Sequence, residues 1–257
     1  MRVAIVTGAA QGIGRRTVEV LGEAGYSLLL LDRQSCEGAL SAVRGAGCEA
    51  EELVGDITDE AVIARAVAVV MQRWGRADVL VNNAGVSFIA AAEKIEAAAF
   101  RRVLEVNLVA PFVLSRAFGS VMLAQREGSI VNVASIAGLV GVSDRSIYNA
   151  SKHGLVGLTR TLAGEWGGRG VRVNAVCPGW VKTEMDVADQ AAGGGYNDDD
   201  ITGRVPMGRF ARPEDIARAI LFLADPAQSG FVNGHTLVVD GGWTADGSWQ
   251  SLRMGKR

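Results

Sequence analysis

The stretch "RVAIVTGAAQGIG", residues 2–14, decides the fold. Its first half is a short run of Val, Ala and Ile, too short for a helix and suited to a buried strand. Its second half, "TGAAQGIG", places Gly8, Gly12 and Gly14 just before a segment with helical apolar spacing. Glycine permits positive φ and leaves no Cβ between backbone and ligand. A strand, a glycine turn and a helix N-terminus make an anion site: N–H groups point outward and the helix dipole favours negative charge. The spacing is one glycine, three residues, then Gly-x-Gly, which differs from the usual GxGxxG fingerprint. Taken alone, a tight strand-to-helix turn with incidental glycines is the competing reading.

Working outward, the next apolar run, "YSLLLLD", ends at Asp32, 18 residues beyond Gly14. A carboxylate there accepts hydrogen bonds from the adenosine ribose and repels the 2′-phosphate of NADP. Arg33 pulls the other way, and Gln11 in the glycine loop adds no positive charge. The balance predicts NAD. Further runs follow: "ADVLVNNAG", "GSIVNVAS", "VRVNAVCPG" and "HTLVVDGG". They read as strands buried on both faces, as in a parallel sheet. Helix-length segments lie between them. One follows Gly12. Another runs from about Asp59 to Trp74, with Val62, Ala66, Val69 and Val70 inward, and others begin near Ala97, near Tyr148 and at Pro213. This alternation predicts one α/β domain over residues 1–257, a doubly wound parallel sheet of about seven strands. Residues 184–208 break the pattern with three glycines and three aspartates in a row, and are expected to be a mobile substrate loop with "NDDD" as solvated surface. Residues 243–257 form a tail with Trp243, Trp249 and Arg253, expected to pack on a neighbouring subunit or cap its active site.

The bulk numbers exclude other classes. The chain has 257 residues, 49% of them hydrophobic, and a formal net charge of −2, which signals neither nucleic-acid nor membrane affinity. Cys36, Cys48 and Cys177 form no CxxC, and His153 and His235 lie far apart, so neither a disulfide framework nor a metal site is expected. The opening residues do not read as a signal peptide. No run approaches the ~20 uninterrupted apolar residues of a membrane span. A cytoplasmic protein is the expectation.

In "SDRSIYNASK", residues 143–152, Tyr148 stands four residues before Lys152, so the two share a helix face. An isolated pair of this kind is usually an ordinary surface pair. A tyrosine with pKa near ~10 is a poor base, and a neighbouring ammonium is expected to lower it.

The chain resembles the short-chain dehydrogenase/reductase family. The resemblance rests on Thr7-Gly8-x-x-x-Gly12-Ile13-Gly14, Asp56, Asn82-Asn83-Ala84-Gly85, Asn107, Ser135, Tyr148-x-x-x-Lys152, Pro178-Gly179, Thr183 and "VVDGG". It implies a Rossmann-like sheet and a catalytic set of Asn107, Ser135, Tyr148 and Lys152. Tyr148 would exchange a proton with the substrate, Ser135 would orient the reacting oxygen, and Lys152 would also bind the nicotinamide ribose. Asn107 would distort its helix and hold a water near the lysine. Asp56, ending the third strand, would bond the adenine amine with Ile57 beside it, and Asn83 would lie by the adenosine ribose. Pro178, Gly179, Val181 and Thr183 would meet the nicotinamide end. A homotetramer is implied, with the long helices after the fourth and fifth strands at one interface. Ile147, bulky where many relatives have a small residue, is expected to narrow the pocket.

The substrate is less legible. Arg145, three residues before Tyr148, is a candidate ligand for a carboxylate, with a solvated loop arginine as the alternative. The polar 184–208 segment suits a carbohydrate-like alcohol, and the tail loosely resembles extensions of sugar and sugar-acid dehydrogenases. The expected reaction is therefore NAD-dependent interconversion of a secondary alcohol and a ketone on a sugar, sugar acid or polyol. The alternatives are a 3-ketoacyl thioester reductase, which Asp32 disfavours, a hydroxysteroid dehydrogenase, or a non-catalytic dinucleotide sensor.

Overall fold

Seven parallel strands stand in the order β3-β2-β1-β4-β5-β6-β7. They are β1 Arg2–Thr7, β2 Tyr26–Asp32, β3 Ala50–Val54, β4 Val79–Asn82, β5 Gly128–Val133, β6 Val171–Pro178 and β7 Thr236–Val239. The structure is a computed structural model and describes residues 1–191 and 196–248. The main helices are α1 Gly12–Glu23, α2 Glu37–Gly45, α3 Glu60–Trp74, α4 Ala97–Leu104, α5 Ala110–Gln125, α6 Ser146–Trp166, α7 Glu184–Ala191, α8 Asp198–Arg204 and α9 Pro213–Ala224.

The apolar runs are continuous because each central strand is covered on both faces. Val3, Ile5, Leu29 and Leu31 pack in one layer with α3, α5 and α6. Ala4, Val6, Leu28 and Leu30 pack in the other with α1, α2 and α9. Each buried Leu or Ile contributes about 1.5–3 kcal/mol. The strand order reverses between β1 and β4, which opens a crevice at their carboxyl ends.

Several elements differ from the sequence reading. The third strand ends at Val54, so Asp56 lies in the turn beyond it. That strand, "AEELV", escaped the list of apolar runs because it is a sheet edge where Glu51 and Glu52 stay partly exposed. In α3, Asp59 is the N-cap and accepts from the Ala61 N–H at 2.9 Å. Ile63 is fully buried on its inner face, where Val69 is only partly so. Ile147 is 1% exposed and lies in the core, so it does not narrow the cleft.

The 184–208 segment is not a plain loop; it contains α7 and α8. "NDDD" is a helix start. Asn197 and Asp200 form a reciprocal capping box, and Asp198, Asp199 and Asp200 fill a first turn where the dipole favours carboxylates. In the tail, Asp240 accepts from the N–H groups of Gly242 (2.8 Å) and Thr244 (2.7 Å), which folds it into turns. Trp243 lies against the Arg204 guanidinium of its own chain, 5.1 Å from ring centre to carbon. It packs against α8 of its own chain and stays half-buried there. Trp249 and Arg253 lie outside the described residues.

The helical run Ala97–Gln125 is long and apolar enough to cross a membrane by length and composition alone. Here it packs on the sheet through Leu114, Phe118 and Met122.

Candidate active site

The glycine loop is built as its composition requires. Gly8 and Gly12 have φ of +66° and +54°. A Cβ on Gly14 would stand 1.9 Å from the Gly8 carbonyl oxygen, so only glycine lets α1 approach the strand. Gln11, at the N-cap of α1, makes no side-chain capping bond, and the first turn holds no acidic residue. The first turn of α1 is thus left uncapped by its own side chains, as binding of an anion such as a pyrophosphate requires. At the adenosine end, Asp32 accepts from Ala10 N–H and Gln34 N–H, both at 3.0 Å, which fixes its carboxylate at the rim. Arg33 is exposed beside it. Asp56 is partly buried, but hydrogen bonds from Thr58 and Arg102 outweigh the effect of burial and hold its carboxyl below the usual range. Ile57 lines the same wall.

Asn83 donates to the carbonyls of Thr7 (2.9 Å) and Gly8 (3.1 Å), tying the end of β4 to the glycine loop. Its side chain is thus structural as well as cleft-lining. At and beyond the end of β6, Pro178, Gly179, Val181 and Thr183 form the opposite wall. A Cβ on Gly179 would sit 2.8 Å from the Asp240 Cα, and one on Gly12 would meet Thr183 and Glu184 at 3.4 and 3.3 Å. The start of α7 therefore closes over the glycine loop. These residues fit a nicotinamide dinucleotide laid across the crevice.

Ser135, Tyr148 and Lys152 meet at the far end. Ser135 lies two residues past β5, where its Oγ accepts from Ala137 N–H at 3.1 Å and opens a single 3₁₀ turn. That turn packs tightly on α6: a Cβ on Gly138 would stand 2.8 Å from the Lys152 carbonyl oxygen. Tyr148 and Ser135 line the same end of the cleft. Lys152 is 4% exposed, and its Nζ donates to the Val133 carbonyl at 2.8 Å, 5.7 Å from the Tyr148 ring centre.

The electrostatics differ from expectation. Burial pushes the Tyr148 phenol up, against the opposing pull of Ser135 and Arg145. Burial also pushes the Lys152 ammonium down to about 8. The charge meant to favour tyrosinate is itself weakened by desolvation, which was invisible in the spacing.

Asn107 sits in a π-type turn, Glu105–Val109, between α4 and α5. Its Oδ1 accepts from Val86 N–H at 2.9 Å, and its Nδ2 donates to Val86 O (2.9 Å) and Ser151 Oγ (3.1 Å). Such bulges recur at functional sites. Asn107 and Gly14 stand behind the cleft wall, whereas the other proposed site residues line it.

Arg145 does face the cleft, but not as a bare cation. Its Nη1 donates to Asp189 Oδ2 of α7 and to Ser87 Oγ, both at 3.0 Å. It lies over Trp180 at 5.6 Å, and Trp180 meets Tyr196 edge-on at 4.9 Å. Asp144 before it has φ +60°, a left-handed turn that Asp tolerates. Sequence reasoning missed Ser87, Trp180, Asp189 and Tyr196. Trp180 could have been found, since it lies between Gly179 and Val181. Asp189 and Tyr196 could not, because the 184–208 helices were unrecognised.

Residues 8–244 match a family model described as enoyl-(acyl carrier protein) reductase. A short-chain type dehydrogenase/reductase, y4vI of Sinorhizobium fredii, is 42% identical over 243 residues, 94% of this chain and 43% of that protein. D-threitol dehydrogenase of Mycolicibacterium smegmatis is 40% identical over 246 residues, 95% of this chain and 93% of that one. A Beutenbergia cavernae structure with NADP bound at low occupancy, described as a candidate NAD(P)-dependent gluconate 5-dehydrogenase, superposes with a TM-score of 0.89. It is 42% identical and covers 95% of this chain and 97% of its own. Sheet order, glycine loop, catalytic-type residues and these likenesses agree: the chain belongs to the short-chain dehydrogenase/reductase family, oxidoreductases acting on CH–OH groups.

Proposed function

We propose that this chain is an NAD-dependent enzyme interconverting a secondary alcohol and a ketone, or a lactol and a lactone, on a polar, carbohydrate-like substrate. The observation that carries this reading is a single cleft. Asp32 stands at one end, and Ser135, Tyr148 and Lys152 stand at the other beside the polar side chains of Ser87, Arg145 and Asp189. When bound, the nicotinamide dinucleotide supplies the hydride acceptor or donor. Asp32 favours NAD because a 2′-phosphate would meet its carboxylate. Ser135 Oγ holds the substrate oxygen, and deprotonated Tyr148 takes the hydroxyl proton in oxidation or returns it in reduction. Positioned acid/base transfer of this kind typically contributes roughly 10² to 10⁴-fold. Lys152 provides positive charge beneath the phenol, and Asn107 fixes the helix that packs against it through Ser151.

Two relatives support the substrate class by name, one for a tetritol and one for a sugar acid. A 3-ketoacyl thioester or hydroxysteroid reaction fits less well, since the substrate end carries an ion pair rather than an apolar lid. A sensor would not need the convergent Ser135, Tyr148 and Lys152. The protein is read as one nucleotide-binding domain in a cytoplasmic homotetramer. Phe100, Val109 and Phe112 are exposed along the Ala97–Gln125 run and suit a helix interface. The test is a panel of polyols, aldoses and sugar acids, scored by NADH absorbance. Turnover of at least one with NAD is expected. Turnover confined to 3-ketoacyl thioesters with NADPH would refute the reading.

A further inference from the structure

The substrate end of the cleft holds a cation whose charge is already matched. Arg145 and Asp189 pair at 3.0 Å, with side chains only 11% and 17% exposed. Ser87 closes the triangle, donating to Asp189 Oδ2 at 2.8 Å while accepting from Arg145. Trp180 lies against the guanidinium, so the pair is partly shielded from water and little screened by salt. The next carboxylate on α7, Asp186, is also matched, by Lys182 at 3.2 Å and by the Tyr196 hydroxyl at 3.2 Å.

We infer that the Arg145–Asp189 pair selects the charge of the substrate, admitting neutral polyhydroxylated alcohols and disfavouring sugar acids. This rests on the carbohydrate reading above and narrows it. All the hydrogen bonds of Asp189 fall on Oδ2, and those of Arg145 on Nη1. Oδ1 of Asp189, and Nη2 and Nε of Arg145, make none among the described residues. A hydroxyl is both donor and acceptor, so neighbouring hydroxyls of a polyol can give to Asp189 and take from Arg145 without breaking the pair. A carboxylate offers acceptors alone. It can reach Arg145 only by lying beside Asp189, which repels it, or by displacing Asp189 and leaving that carboxylate unpaired in a shielded site. An arginine that alone would attract an acid is turned by its partner into a filter against one.

The test compares neutral and acidic members of matched pairs: glucitol with gluconate, and cyclohexanol with 4-hydroxycyclohexanecarboxylate. The wild type is expected to favour the neutral member by at least about tenfold in kcat/KM, the scale of one unbalanced like charge. Asp189→Asn bares the Arg145 charge and should shift that ratio toward the acid by about tenfold or more, with NADH affinity retained. Arg145→Met in the Asp189→Asn background should abolish the shift, which separates charge from a general loosening of α7. A wild type that prefers the acid, or a folded, NADH-binding Asp189→Asn protein with an unchanged ratio, overturns the inference. If only the cyclohexane pair turns over, the carbohydrate reading fails and the charge filter is judged on that pair. If NADH binds and nothing turns over, both fail.

Discussion

Replacing Lys152 by methionine should stabilise this protein while disabling it. Lys152 is 4% exposed, and the only hydrogen bond of its ammonium among the described residues is to the Val133 carbonyl. Burial lowers its pKa from 10.5 to about 8. Below pH 8 the folded state therefore holds a protonated lysine against a desolvation penalty, and the difference corresponds to roughly 3 kcal/mol. Methionine has similar length and no charge. It removes the penalty and loses one hydrogen bond, about 1 kcal/mol. The net gain is about 2 kcal/mol at neutral pH, or about 4–8 °C in melting temperature for a chain of this size. The sign has a pH signature. Between about 8 and 10.5 the unfolded chain binds more protons at this site than the folded one, so wild-type stability rises with pH there. The advantage of Lys152→Met should be constant below pH 8, shrink above it and reverse by about 10.5, where only the lost hydrogen bond of about 1 kcal/mol remains. Denaturant melts of both proteins across this range, with turnover measured in parallel, are the assay. A variant less stable than wild type at pH 7, or a gap that ignores pH, would refute the argument that desolvated charge is stored here.

The remaining predictions concern catalysis and the cofactor. Tyr148→Phe keeps the ring and removes the transferable proton, so NADH should still bind while turnover falls by about two to four orders of magnitude; retention of a tenth of wild-type turnover would exclude Tyr148 as the base. Because burial raises the Tyr148 pKa, oxidation should quicken and reduction slow as pH climbs through the alkaline range, read from kcat/KM in both directions. Wild type should prefer NAD over NADP by about tenfold or more, as expected if Asp32 governs the ribose site, and Asp32→Ala should narrow that ratio. Equal use of both cofactors by the wild type would mean that Arg33 governs. Gly14→Ala drives a Cβ to within 1.9 Å of the Gly8 carbonyl oxygen, so NADH affinity should fall at least about tenfold even where the protein still folds, measured by fluorescence titration.

The sequence by itself determined the sheet, the glycine loop and the catalytic-type residues. Strands buried on both faces must be apolar throughout, a tight strand-to-helix turn must use glycine, and Tyr148 and Lys152 share a face through helical spacing alone. Each is a local rule written in neighbouring residues. No apolar run marked β3, which entered only through the family resemblance, because an edge strand tolerates Glu51 and Glu52 and loses the apolar signal. The sequence did not show α7 and α8, since short polar helices depend on caps and on packing over the glycine loop rather than on periodicity. Only tertiary structure decided the electrostatics. The ionisation of Lys152 follows from how completely the fold excludes water, and the role of Arg145 follows from Asp189, which lies 44 residues away in the chain and 3.0 Å away in space. Charge in a folded site is a property of surroundings, and surroundings are assembled from distant segments.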